Sequence, residues 1–240
     1  MHERQNRMLE IHIITLIMAT STRAKVTIGE VSTRLAQEGE PASTIDLKIS
    51  TELVHLLSDQ LYQSPLKAVE ELVINSYDAE AKVCRLSVPN ASEIVPAARP
   101  SIAVFDDGSG ITDAGMTDLW HVGRSNKRSE EVLKRSKRKL IGKFGIGKLA
   151  TYTVARELTY ISKTGRGVTS ATLNFEELTA DASGSGEPVT IPLRHVRNWS
   201  EFSKDPAIQR LIDTLKVTRA EIANSSWTFV VLERSRRRRN

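Results

Sequence analysis

EELVINSYDA, residues 70–79, carries two patterns at once. An α-helix turns about 100° per residue, so positions i, i+4 and i+7 share one stripe. Glu71, Asn75 and Asp78 have that spacing, while Leu66, Val69, Leu72, Val73 and Tyr77 mostly cover the other side. Pro65 suits the first turn of such a helix, and Ser64 before it is a good N-cap. The simplest account is an amphipathic surface helix with its polar face in water. Asn75 is the odd member of that face, since asparagine is a mediocre helix former and solvent faces more often use Lys, Gln or Glu.

Working outward, the chain of 240 residues is 40% hydrophobic and 26% charged, ordinary composition for one large domain or two small ones. Its single cysteine, Cys84, excludes an internal disulfide and suits a reducing compartment, so a cytoplasmic location is expected. No apolar run reaches the roughly 18 residues that span a bilayer, so no membrane partner is expected. LEIHIITLIMA (9–19) has the length of a signal-peptide core, but His12 and the threonines within and beside it break the run and no small-residue cleavage site follows. It reads instead as an extra strand or a leader, with Met18 an alternative start. Net charge is +5, and the excess is local: seven basic against two acidic residues from Lys127 to Lys139, and RSRRRRN at the C-terminus. Such runs are usually solvated, and phosphates or nucleic acid are the functional alternative.

Helices are expected at 51–63 and 65–81, strands at 82–88 and 101–107, a short helix at DAGMTDLWHVG and a helix from Gly145 to Ala155. Further strands are expected at ELTYISK, GVTSATLN, PVTIPLRHV and SWTFVVLE, with a helix at 205–215. This order implies an α+β fold, a two-layer sandwich with a mixed β-sheet and helices on one face. Residues 1–45 read as a leader or strap, 46–235 as the domain, and 236–240 as a basic tail that opens a downstream region.

Seven of the 13 glycines lie between Gly108 and Gly147. VFDDGSGIT (104–112) ends a buried strand in an Asp and a glycine turn. By itself that is an ordinary Asp-Gly turn; at a strand end it is also where ligands commonly bind. IGKFGIGKLA (141–150) places glycines before a helix start, where free N–H groups and the helix dipole favour phosphate. Residues 142–148 nearly spell a Walker A loop. Leu149 replaces the Ser or Thr that would hold Mg²⁺, and KRSKRKLI before it is no buried strand, so a P-loop NTPase is a weak rival.

Taken in order, these stretches resemble the GHKL superfamily of ATPases: gyrase B, the large heat-shock chaperone, histidine kinases and MutL. ELVINSYDA resembles the family's N box, DDGSGI its first glycine box and GKFGIGKLA its second, in a form nearest the heat-shock chaperone. HVGRSNKRS (121–129) is similar to the lid start of MORC-like and chaperone-like members, and SWTFVVLE to the late strand that brings a Thr to the adenine. The resemblance implies a Bergerat-type ATP-binding fold with ATP and Mg²⁺ as cofactors. It assigns Mg²⁺ to Asn75, activation of the attacking water to Glu71, and the adenine end to Asp78, Asp106 and Thr228. Gly108 and Gly110 would admit the ring. Gly142, Gly145, Ile146, Gly147 and Lys148 would cradle phosphates, and Lys127, with Lys143 or Lys148, would neutralise charge on them. Glu71 favours a hydrolase over a histidine kinase, whose members lack it, and none of the five histidines sits on a phosphoacceptor helix. The second glycine box departs from the G-F-R-G-E-A form of MutL. Two functions are expected: an ATPase that closes a lid and dimerises on ATP, or a nucleotide-gated module that binds a protein or DNA with little turnover.

Overall fold

The computed structural model describes residues 9–15, 30–47, 65–89, 101–120, 138, 140–141, 151, 154–180 and 189–233. The expected helices at 51–63 and 145–155, and nearly all of the basic stretch, lie outside the described residues or reach them only at single positions.

Eight strands form one sheet: β1 (Glu10–Thr15), β2 (Glu40–Leu47), β3 (Val83–Val88), β4 (Ser101–Asp106), β5 (Glu157–Thr164), β6 (Gly167–Asn174), β7 (Val189–Val196) and β8 (Trp227–Glu233). Their order is β1-β3-β4-β8-β5-β6-β7-β2. β1 runs parallel to β3, and every other neighbouring pair is antiparallel. The expected α+β fold on a mixed sheet is therefore what forms. Residues 10–15 and 31–47, all but the last two within the span read as a leader, supply both edge strands and the helix α1 (Val31–Glu38). Edge strands bury less and pattern weakly, which is why their sequence carries little signal.

Side chains alternate across a strand, so each strand offers two faces. Val104, Leu158, Tyr160, Val230 and Leu232 share one face with Cys84 and Leu86. Leu72 of α2 (Pro65–Asp78) and Met116 and Trp120 of α3 (Asp113–Trp120) pack onto it. The expected helical layer is this one. The opposite face is covered as well. Ala103, Phe105, Trp227, Phe229 and Val231 meet Val31 and Leu35 of α1, Phe202 of α5 (Trp199–Phe202), and Ile208 and Leu211 of α6 (Pro206–Thr214). α4 (Phe175–Ala180) and α7 (Arg219–Ala223) complete the described helices.

Burial on both sides explains why β8 is apolar nearly throughout: all seven of its residues are buried. Trp227 and Phe229 pack edge-to-face at 5.2 Å, and Phe105 lies 4.9 Å from Phe229. Each fully buried ring of this kind is worth about 2–3 kcal/mol from area alone. Local signals set the helix boundaries. Pro206 opens α6 behind Asp205, whose side chain accepts from Ala207 N at 2.8 Å. Thr218 and Glu221 form a reciprocal capping box at α7.

Candidate nucleotide site

The core of the site is the carboxyl end of β4. Asp106 has the parity of Val104, so it points toward α2, and it is 5% exposed. Gly108 N donates to Oδ1 at 3.0 Å. Ser76 Oγ lies 3.3 Å from Oδ2 and 3.2 Å from Leu72 O, and the buried Cys84 thiol donates to Ser76 Oγ at 3.5 Å. Burial pushes the Asp106 carboxyl up to about 7, against the opposing pull of the Gly108 and Ser76 hydrogen bonds.

Asp107 has a different task. Its Oδ1 accepts from Lys82 N and Val83 N at 2.7 and 2.8 Å. Ser109 N donates to Ala79 O at 2.9 Å. The turn after β4 is thereby bonded to the end of α2. Gly108 is required by close approach: a Cβ there would sit 2.8 Å from the Ala79 Cβ, Ala79 O and Asp106 Oδ1. Gly110 has φ +69°, and a Cβ there would meet Lys163 O at 2.1 Å.

Across the sheet, Thr228 of β8 is the register partner of Asp106. Both are buried on the face that α2 covers. Ser162 of β5 stands beside Thr228, with 3.0 Å between their hydroxyls. It also receives Ile111 N at 2.7 Å. Ser162 therefore joins the glycine turn to β8.

α2 brings its polar stripe to the same region. Glu71, Asn75 and Asp78 are partly exposed, whereas Ala68, Leu72 and Ser76 on the adjoining stripe are buried against the sheet. Asp78 Oδ1 accepts from Ile141 N at 2.9 Å, so the residue expected at the adenine end also holds the backbone that enters the second glycine box. Arg138 strengthens that junction. Its guanidinium donates to Tyr77 O at 3.3 Å and Ala81 O at 2.7 Å, and it lies over the Tyr77 ring at 5.0 Å. Within the basic stretch this arginine thus seals the end of α2.

α2 carries Glu71, Asn75 and Asp78, and its end meets the turn that holds Asp106, Gly108 and Gly110, with Thr228 beside Asp106 in the sheet. Lys127, Gly142, Gly145, Ile146, Gly147 and Lys148 lie outside the described residues. Sequence reasoning passed over Ser76, Ser162 and Arg138. Ser76 had a visible signal: it is a polar residue four places from Leu72, on the apolar stripe. Ser162 likewise follows Leu158 and Tyr160 at the strand period.

Chemically, Asp106 and Thr228 form a buried polar end that suits a flat, amine-bearing ring, with glycine backbone close by. Asn75 and Glu71 form a partly exposed end with oxygen donors. Among the described residues no group of three or more His, Cys, Asp or Glu is placed to hold a metal ion. An amide oxygen with a nearby carboxylate does fit Mg²⁺, which keeps several waters and takes few protein ligands when phosphates supply the rest. Among the described residues no helix is long and apolar enough to cross a membrane.

The sequence pattern of the histidine kinase-, DNA gyrase B- and HSP90-like ATPases matches residues 62–206, more than half of the chain. The chain is also 24% identical over 186 residues to the TNF receptor-associated protein 1 homolog, mitochondrial, of Dictyostelium discoideum. That match covers 67% of this chain and 26% of the relative. Neither similarity supports a nucleic-acid partner.

Proposed function

Because this chain belongs to the family of histidine kinase-, DNA gyrase B- and HSP90-like ATPases, we propose that it binds ATP with Mg²⁺ between α2 and the glycine turn after β4, and hydrolyses it. The observation that carries this reading is the buried Asp106 at the end of β4, facing α2 and opposite Thr228.

Asp106 would accept the adenine amino group, and Gly110 would let the ring approach the backbone. Asn75 would hold Mg²⁺, which supplies charge neutralisation on the phosphates. Glu71, one helical turn from Asn75, would orient the attacking water and take its proton. Asp78 would support the pocket through its bond to Ile141 N, which leads into Gly142 and the phosphate cradle. Gly145, Ile146, Gly147 and Lys148 would offer backbone N–H groups to the phosphates, with Lys127 closing over them. Closing such a lid over bound nucleotide would create a new surface, and pairing of two copies through it is the proposed output, in the manner of a chaperone-like or MORC-like clamp.

The test is steady-state ATP hydrolysis and equilibrium nucleotide binding for the wild type, Glu71→Ala and Asp106→Asn. The expected result is that Glu71→Ala binds ATP but loses turnover at least 100-fold, on the order seen when a general base is removed, and that Asp106→Asn loses binding. ATP bound without turnover by the wild type would make the chain a nucleotide-gated binding module. No binding at all would overturn the site.

A further inference from the structure

Ser162 is completely buried, and its hydroxyl makes three contacts. Ile111 N lies at 2.7 Å, Trp227 O at 3.1 Å and Thr228 Oγ1 at 3.0 Å. A serine hydroxyl has one proton to give and two lone pairs to receive. Ile111 N is only a donor, so it occupies one lone pair. Trp227 O is only an acceptor, so the Ser162 proton goes there. The third contact then closes in one way: Thr228 donates to the remaining lone pair of Ser162.

The consequence falls on Thr228. Its single proton is committed inward, to Ser162. Asp106 is its register partner on the same face, and with its proton given to Ser162 the threonine oxygen has only lone pairs left for any group that enters beside them. An ionised Asp106 also shows lone pairs alone, with Gly108 N–H and Ser76 as its protein donors. The buried end of the site is thereby a surface of acceptors. Such a surface bonds an exocyclic amine and opposes a carbonyl oxygen set in the same place, because a buried acceptor facing another acceptor is left unpaired.

We propose that Ser162 is a specificity-determining positioning residue: by holding the Thr228 proton, it makes the base end of the site select 6-aminopurines over 6-oxopurines. This rests on the nucleotide reading above and adds to it the residue that sets base choice. Ser162 touches no ligand itself and acts through Thr228.

The experiment compares equilibrium binding of ADP and inosine diphosphate, which differ in the exocyclic group and in the proton that the oxo form carries on the adjoining ring nitrogen, in the wild type, Ser162→Ala, Ser162→Thr and Thr228→Val. Using diphosphates keeps turnover out of the measurement. The wild type is expected to prefer ADP. Ser162→Ala releases the Thr228 proton and should reduce the preference on the order of tenfold, the worth of one buried hydrogen bond made or lost. Ser162→Thr keeps a hydroxyl in place and should restore it. Thr228→Val removes the acceptor with Ser162 intact, and should reduce the preference in a chain whose fold is checked by its thermal transition. Equal losses of ADP and inosine diphosphate affinity in Ser162→Ala, or an unchanged preference in Thr228→Val, would overturn the proposal and leave the nucleotide site standing. A wild type that binds neither diphosphate would overturn the site reading itself, and the proposal with it.

Discussion

Nucleotide affinity should depend on pH through Asp106. Burial holds this carboxyl at about 7 in the free protein, so near neutrality half of the molecules carry it protonated. An exocyclic amine is expected to pair with the carboxylate, which accepts at both oxygens and more strongly, in preference to the protonated carboxyl, whose O–H is a donor. Binding is then linked to loss of the proton, and affinity should rise as pH rises through 7. Each unit below that value costs about tenfold, or about 1.4 kcal/mol. Between pH 8 and pH 5.5 the expected fall is roughly 30-fold. Adenosine is the ligand to use, because it carries no phosphate that titrates in this range. Calorimetry in buffers of different ionisation enthalpy should show release of about half a proton per adenosine bound at pH 7. An affinity that stays flat from pH 5.5 to 8.5, or that improves toward acid, would refute the assignment of Asp106 as an ionised acceptor.

Gly110→Ala should destabilise the fold by at least about 2 kcal/mol, since φ is +69° and the new Cβ would meet Lys163 O at 2.1 Å. Gly167→Ala is the control, with φ +125° and nothing within 4 Å of the Cβ; equal denaturant midpoints for the two variants would count against the packing argument. A second carboxyl sets the pH dependence of stability. Glu233 is 2% exposed, and Ser32 Oγ lies 2.9 Å from both its Oε2 and that of Glu157. One hydroxyl proton cannot serve two carboxylates, so the trio needs a carboxyl proton. Burial, together with the neighbouring Glu157, raises Glu233 from 4.5 to about 7. The folded state therefore binds the proton more tightly than the unfolded chain. Stability from this source is full below about pH 4.5 and is lost as pH rises through 7, by about 3 kcal/mol. Glu233→Gln keeps the shape without the charge and should flatten the fall in urea stability between pH 5 and 8; an unchanged slope would show that the proton is not held there.

How much of this was legible beforehand differs by element. α2 was readable because its period, its proline and its polar stripe are all local. β4 and β8 were readable because strands buried on both faces are apolar nearly throughout. The same continuous runs announced that both faces of the sheet would be covered, a signal passed over when helices were expected on one face only. The edge strand β2 and helix α1 were hidden, because half-exposed elements carry weak patterns, whereas β1 falls in the stretch 9–19 that reads as an extra strand or a leader. Motif resemblance picked out Asp106, Asn75 and Glu71 as residue types, and strand parity agrees with the direction in which Asp106 points. What sequence could not supply was the company these residues keep. Thr228 stands opposite Asp106 because β8 inserts between β4 and β5. Ser162 reaches Ile111, Trp227 and Thr228 for the same reason. These contacts join residues far apart in the chain, and no period or spacing encodes them. The sequence determined which chemical groups the candidate site has; the order of strands in the sheet, settled by packing across the whole domain, decided which of them stand side by side.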